Sequence, residues 1–149
     1  MAILYIFGAG FLLVGLGILV RQARLRRLHR QRGGTEFARE RFINDFRRAG
    51  TPDNIPAAVH DYYSSKKYLK SFALSPEDKY SVVLADDPID IESDARRLIE
   101  RLGLTYPPEY FLREWGGYRE IKTLRDMVVW LDWVRQHQPS EGRNESSQP

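Results

Sequence analysis

Residues 86–103 read DDPIDIESDARRLIERLG, and the spacing of their apolar residues decides the fold class of the chain. From Ile91 to Leu102, apolar side chains recur three or four residues apart, which places them on one face of a helix. Gly103 follows at a position where helices commonly end. We therefore expect a helix that begins at Asp90 or Ile91, within an all-α fold built from helices of this kind.

The first nine residues of this stretch contain five carboxylates, which could be metal ligands, catalytic acids or the solvated start of a helix. A calcium-binding loop that began at Asp90 would need a glycine at Ala95 and a glutamate at Arg101. A loop that began at Asp86 would place Pro88 at its third position. Acids at a helix start and arginines towards its end are favoured by the helix dipole. We therefore expect a structural role, with no catalytic residue, cofactor or metal, and a recognition surface as the lesser alternative.

Two helices are expected on the N-terminal side of this stretch. Thr35 is placed to cap a helix that runs to about Ala49 and ends at Gly50. Pro56 suits the start of the second helix, which continues through AAVHDYYSSKKYL. Both helices carry enough apolar residues to contribute to a common core.

Two further segments carry helix-start signals. The sequence SPED at residues 75–78 combines an N-cap residue, a first-turn proline and two acids, which predicts a short helix through Val83. Thr123 and Asp126 form a capping-box pattern before the last helix, LRDMVVWLDWVRQH, which Pro139 should end. The stripe that this helix is expected to bury consists of Leu124, Met127, Val128, Leu131 and Val134.

The N-terminal residues 2–20, AILYIFGAGFLLVGLGILV, contain no charge and would span about 28 Å as a helix. A cleaved signal peptide is the rival interpretation, but it needs basic residues before the apolar run and a small-residue cleavage site after it. Only Met1 precedes the run, and arginines follow it directly. We therefore expect a single transmembrane helix at residues 1–20, in contact with the lipid bilayer.

A basic segment follows the apolar run. Residues 21–32, RQARLRRLHRQR, contain six arginines and no acid. Because positive residues stay on the cytoplasmic side, the N-terminus should lie outside an inner (plasma) membrane and the remaining chain in the cytoplasm. Such arginines can also contact anionic headgroups. The arginines expected at the membrane surface are Arg21, Arg24, Arg26, Arg27, Arg30 and Arg32.

Four glycines of the apolar run suggest a face for self-association. Gly8 and Gly15 are seven residues apart, as are Gly10 and Gly17, so each pair lies on nearly one face of a helix. Small residues let transmembrane helices approach closely, although glycine is also common in membrane spans. Self-association through this face is therefore a secondary expectation.

The remaining composition narrows the function classes. Without the six arginines of the basic segment, seventeen basic residues face twenty acidic ones, so the rest of the chain is not expected to bind nucleic acid. The chain has no cysteine, which excludes disulfides and thiol catalysis. The three histidines lie far apart in sequence and form no metal-ligand motif.

The sequence thus divides into four parts, and no alternating run is long enough to predict a strand. The parts are a transmembrane helix at residues 1–20, a basic juxtamembrane segment at 21–34, a helical domain at 35–137 and a disordered polar tail at 138–149.

Aromatic residues near the C-terminus could form part of the core or a surface that binds another protein. Tyr110, Trp115 and Tyr118 lie between two expected helices, and Trp130 and Trp133 lie three apart on the last one. Large aromatics fill a small core efficiently, but exposed tryptophan and tyrosine are also common anchors of protein interfaces. The two tryptophans cannot both lie at the centre of the buried stripe, so one of them is expected at the surface.

Four parts follow one another between Pro56 and His137: a helix, the loop SFALSPEDKYSVVLADD, the helix IDIESDARRLIERLG with the turn TYPPEYF, and the final start EIKTLRDMVVWL. This order resembles an acyl carrier protein, whose second helix opens with Asp-Ser-Leu and is followed by a short third helix and a final one. The alignment places Asp87-Pro88-Ile89 on the Asp-Ser-Leu motif.

The resemblance implies a small helical bundle, but the chain departs from the family at the residue that carries its chemistry. In carrier proteins the serine of that motif holds the phosphopantetheine arm, whereas Pro88 has no hydroxyl and Ser93 lies inside the helix. The carrier's second helix is mostly acidic, whereas Arg96, Arg97 and Arg101 make this one mixed. The resemblance therefore implies the fold of a carrier without its acyl-carrying chemistry.

The sequence favours a single-pass, membrane-anchored adaptor that binds an unknown protein without catalysis. The alternative is an atypical or degenerate carrier-like domain that serves lipid or acyl metabolism at the membrane. No arrangement of a nucleophile and a base supports a catalytic domain.

Overall fold

The computed structural model shows an all-α chain, as the spacing of apolar residues predicted. It describes residues 19–20, 23–28, 30–66, 69, 72–84, 88–108 and 118–138. These residues form no strand, and their single β-type contact is an isolated bridge between Lys79 and Thr123. The elements are α1 (Ala38–Arg47), α2 (Asn54–Ser65), a π-helical turn (Tyr80–Leu84), α3 (Pro88–Arg101), a 3₁₀ turn (Tyr118–Glu120) and α4 (Leu124–Gln136). Residues 23–28 and 30–31, in the basic segment, are helical as well.

The expected membrane span falls almost entirely outside the residues that the structure describes. Within the part that is described, no helix is long and apolar enough to cross a bilayer. Residues 1–18, which include the four glycines of the self-association face, are not described. Leu19 and Val20, at the end of the run, are helical, and their side chains are 64% and 61% exposed.

Helix α2 lies at the centre of the fold, where it packs against α1, α3 and α4. It buries Ile55, Val59 and Tyr63 completely. The helix begins at Asn54, two residues before the expected start at Pro56. A proline is tolerated in the first turn because the backbone N–H that it lacks has no intrahelical partner there.

Helix α4 confirms the predicted register of the last helix. All five residues of its apolar stripe are buried. The predicted capping box is present: Asp126 N donates to Thr123 Oγ1 at 3.2 Å, and Thr123 N donates to Asp126 Oδ2 at 2.8 Å. These two bonds satisfy backbone donors that would otherwise lack partners at the start of the helix.

Helix α1 begins at a different residue from the one predicted. Thr35 does not cap it, because its carbonyl accepts a hydrogen bond from Ala38 N at 3.0 Å and closes a separate turn. The residue that precedes the helix is Phe37, with φ 57° and no side-chain cap. The stop at Gly50 is confirmed, since this glycine has φ 82°, a left-handed conformation that is easy only for glycine.

The helix predicted from Ser75 to Val83 is wrong in its first half. Asp78 N donates to the carbonyl of Ser75 at 3.0 Å, and Ser75 N donates to Asp78 Oδ2 at 2.8 Å, so these residues form a turn. The carbonyls of Pro76 and Asp78 then accept hydrogen bonds from the first-turn N–H groups of α4. The turn prevails over the local helix signal because it supplies acceptors that α4 needs.

Helix α3 confirms the spacing that decided the fold class. Ile91, Ala95, Leu98 and Ile99 are all buried, and Gly103 ends the helix with φ 65°. The helix extends to Pro88, two residues before the earliest expected start.

Candidate functional site

The three carboxylates of residues 86–94 that the structure describes lie in different surroundings. Asp90 is exposed, and Glu92 pairs with Arg96 one turn along α3 at 2.7 Å. Asp94 is only 4% exposed, and it accepts hydrogen bonds from Tyr62 of α2 and from Lys66, the residue that follows this helix. Asp86 and Asp87 lie outside the described residues.

Asp94 joins α3 to α2 through a buried polar contact. Tyr62 OH donates to Asp94 Oδ1 at 2.5 Å, and Lys66 Nζ donates to Oδ2 at 2.7 Å. The Lys66 ammonium also lies 4.8 Å from the centre of the Tyr63 ring. Burial raises the pKa of the Tyr62 and Tyr63 hydroxyls, so both stay protonated at neutral pH. This group holds two helices together and presents no activated nucleophile.

Potential metal ligands are not grouped elsewhere in the part of the chain that the structure describes: no three carboxylate or imidazole side chains there could hold an ion together.

The arginines of the basic segment fall into two groups. Arg24, Arg26, Arg27 and Arg30 are exposed, and Arg21 lies outside the described residues. Their place at a membrane surface stays a prediction.

Arg32 differs from the arginines that precede it, and its expected place at the membrane surface is corrected. Its guanidinium group donates to both carboxylate oxygens of Asp78, at 2.8 and 2.6 Å, and to the carbonyl of Ala73 at 2.8 Å. It also lies 5.3 Å from the centre of the Phe72 ring. The Arg32 side chain is 24% exposed and that of Asp78 is 1% exposed. Arg32 contacts the domain because a buried aspartate there needs a cationic partner.

The basic segment therefore docks on the domain through one of its faces. Leu25 and Leu28 are partly buried and pack against the core, and Arg32 continues the same face one turn later. The contacts of the domain thus extend back from Ala38 into the segment that the sequence assigned to the membrane surface.

The aromatic residues that were predicted to form one surface differ in burial in the structure. Trp130 is 1% exposed and belongs to the core, where its ring lies 5.6 Å from that of Tyr118. Tyr118 is half-buried, and its hydroxyl contacts that of Tyr106. Trp133 is the tryptophan nearer the surface, and its ring lies 4.6 Å from that of His137. Tyr110 and Trp115, the other two predicted contacts, are not described.

Trp133 and His137 line a small cleft of about 110 Å³ together with Tyr106, Pro107 and Pro108. The cleft has room for a single small side chain. Of the predicted partner-binding residues that the structure describes, Trp133 lines this cleft.

Sequence reasoning missed a second surface, on the outer side of α1. Arg41 and Arg48 line an open cleft of about 540 Å³, whose opposite wall includes Leu74 and Pro76. Phe37, at the start of the same helix, is 66% exposed. Arginines on a helix are ordinary solvated residues in a sequence, so no local signal distinguishes these two.

His60 is a buried histidine whose ring contacts polar groups on one side only. Its side chain lies 5.5 Å from the Phe42 ring, and Nδ1 lies 3.3 Å from Ser64 Oγ and 3.4 Å from Asp61 Oδ1. Nε2 is buried and has no hydrogen-bond partner among the described residues. Burial lowers the pKa of His60, with Asp61 opposing the shift, so the ring is neutral in the folded chain.

The chain was compared with known protein families, curated proteins and solved structures. No protein family, no curated protein and no solved structure was found to match the chain. The function of the chain must therefore be inferred from its own residues and their contacts.

Proposed function

We propose that this chain is a single-pass inner-membrane protein whose cytoplasmic helical domain binds another protein without catalysis. The observation that carries the proposal is the uncharged run of residues 2–20, directly followed by six arginines in twelve residues. The exposed apolar side chains of Leu19 and Val20 and the exposed arginines that follow them support an end of the span at this point.

Tethering gives such a domain a physical advantage. Confinement to the bilayer surface raises its effective concentration towards other membrane-bound proteins, without any new contact. The described part of the domain also offers concave surfaces, among them one beside Trp133 and one beside Arg41, whereas its buried polar group at Asp94 serves packing. Surfaces without an activated nucleophile suit binding better than catalysis.

Fractionation and topology reporters test the anchor. The full chain should remain with membranes after an alkaline wash, and a C-terminal reporter should be active only in the cytoplasm. Replacement of the exposed Arg24, Arg26, Arg27 and Arg30 by glutamine should weaken this orientation, because the positive flank sets it. Recovery of the unchanged chain from the soluble fraction without detergent would reject the anchor.

Cross-linking in membranes tests the adaptor role. The full chain should capture a defined protein repeatedly, and a chain with an unrelated domain fused to residues 1–34 should not. Repeated capture of no protein would count against the role.

A second candidate is an atypical carrier-like domain for lipid or acyl metabolism, and the order of α2, α3, the 3₁₀ turn and α4 favours it. Pro88, which aligns with the carrier serine, is the first residue of α3 and has no hydroxyl. Intact mass after co-expression with a phosphopantetheinyl transferase separates the two candidates. An added arm would support the carrier, and an unmodified mass would remove an acyl-carrying role.

A further inference from the structure

Phe37 has two features that do not stabilise the fold. Its backbone has φ 57°, a left-handed conformation that is unfavourable for a bulky residue, and its side chain is 66% exposed. Glycine would adopt this conformation without strain, and asparagine would tolerate it. An aromatic ring that strains the backbone and remains in solvent indicates a surface role, since strained residues concentrate at functional sites.

Two arginines follow Phe37 at helical spacing. Arg41 N donates to the carbonyl of Phe37 at 2.9 Å, so these residues are one turn apart, and Arg48 follows two turns later. Phe37 immediately precedes the helix. The side chains of Arg41 and Arg48 fall within about 20° of one another on a helical wheel. They lie opposite the buried face of α1, which consists of Ala38, Phe42, Ile43 and Phe46. We name Phe37, Arg41 and Arg48 the outer stripe.

The two arginines of the outer stripe border the open cleft of about 540 Å³ between α1 and the segment that contains Leu74 and Pro76. Arg32 also lines this cleft, but Asp78 already occupies its guanidinium group. Arg41 makes two long contacts, of 3.4 Å each, with the carbonyls of Gly34 and Glu36. The guanidinium group of Arg48 makes no hydrogen bond or ion pair with the described residues. Two guanidinium groups are thus available to a ligand.

The charges of the cleft favour an extended acidic ligand over a single compact anion. Asp45 also lines the cleft and lies between Arg41 and Arg48 along the helix. A phosphate held between the two arginines would meet this carboxylate and be repelled by it. Two carboxylates about 10 Å apart would each meet one arginine, since seven helical residues rise about 10.5 Å. In an extended peptide of the polyproline II type, which has three residues per turn, side chains three residues apart lie on one face and are separated by about 9 Å.

We propose that the outer stripe and its cleft bind an extended acidic segment of a partner protein, with an apolar side chain of that segment against Phe37. This inference deepens the adaptor role and rests on it. The paired arginines supply charge complementarity, and the exposed ring supplies the apolar anchor that such interfaces usually contain.

Selection from a library of random short peptides tests the proposal, with the full chain held in phosphatidylcholine nanodiscs. The selected peptides should share two acids three residues apart and a neighbouring apolar residue. A labelled peptide with that consensus should bind about tenfold more weakly to Arg48→Glu and to Phe37→Ser than to the unchanged chain.

Matched variants control for charge and for apolar surface. Arg101→Glu makes the same charge change in the last turn of α3, and Val129→Ser removes another exposed apolar side chain, so neither should weaken binding. Thermal unfolding of each variant shows that it remains folded. Equal weakening by Arg101→Glu, or a selected consensus without acids, would overturn the proposal.

Two further measurements separate other occupants. Displacement of the peptide by inorganic phosphate at constant ionic strength would indicate a single-anion site and overturn the proposal. Binding to phosphatidylglycerol nanodiscs that depends on Arg48, without any peptide binding, would identify a lipid headgroup instead. If cross-linked capture of a partner persists in Arg48→Glu, this inference fails while the adaptor role stands.

Discussion

Phe37 shows how one residue can oppose the stability of the fold around it. Its left-handed backbone should cost about 1 kcal/mol relative to glycine, and its exposed ring returns little. We expect Phe37→Gly to raise the free energy of unfolding by about that amount, measured by urea denaturation of the full chain in detergent. Phe37→Ala keeps the strained Cβ and should bring no gain. Equal stability of the two variants would show that the backbone is not strained.

His60 should make stability depend on pH. Its folded-state pKa lies below the ordinary 6.5, so the unfolded chain binds more protons as the pH falls through this region. The free energy of unfolding should therefore fall as the pH drops below about 6.5. Asp61 does not share this window, because Arg39 holds its pKa below the usual 3.8.

Urea denaturation at several pH values between 5 and 7.5 measures this dependence. The slope should be smaller in His60→Gln, which cannot titrate. An unchanged slope in His60→Gln would assign the pH dependence to other groups.

At the scale of helices, Asp94 is the contact that fixes α3 against α2. Asp94→Asn removes the charge of a buried carboxylate that accepts hydrogen bonds from Tyr62 and Lys66, which should cost about 3 kcal/mol. Combining it with Lys66→Met should restore part of the loss, by at least about 1 kcal/mol relative to additivity. A double-mutant cycle of unfolding free energies measures this coupling. Glu92→Gln, at an exposed ion pair of the same helix, serves as the control and should have little effect.

The helices and their ends could be predicted where the signal is local. Apolar spacing fixed the register of α3 and α4, and Thr123 with Asp126 marked a helix start, because residues three or four apart touch each other within one helix. The roles of Asp94 and Asp78 could not be predicted in this way. Their partners lie 28 to 46 residues away, and an acidic residue near a helix start looks the same in the sequence whether it is solvated or buried.

The same difference explains which site residues were found. Arg32 and Arg30 are indistinguishable in a run of arginines, and only the position of Asp78 in the folded chain separates them. Trp130 and Trp133 were correctly expected to differ, but their spacing could not show which one is buried. Phe37 escaped notice because its left-handed backbone follows from the turn before α1, not from its own residue type.

For the whole molecule, the pair of Arg32 and Asp78 is the contact that joins the basic segment to the domain. Arg32→Gln leaves a buried carboxylate without its cation and should cost about 3 kcal/mol. It should also speed cleavage of residues 24–30 by trypsin, because the segment loses the contact that holds it. Arg39→Gln breaks an exposed pair of similar geometry with Asp61 and should cost less than about 1 kcal/mol. Equal cleavage rates in Arg32→Gln and Arg39→Gln would show that Leu25 and Leu28 suffice for docking.

The docked basic segment also affects how the domain meets its surroundings. A domain on a flexible linker samples all orientations, so only a small fraction of its collisions with a partner present the binding surface. The two hydrogen bonds from Arg32 to Asp78 restrict this rotation, because they fix the basic segment to the domain. If the chain is anchored, the domain would then keep a fixed orientation relative to the bilayer. A membrane-bound partner would therefore bind with a smaller loss of rotational entropy.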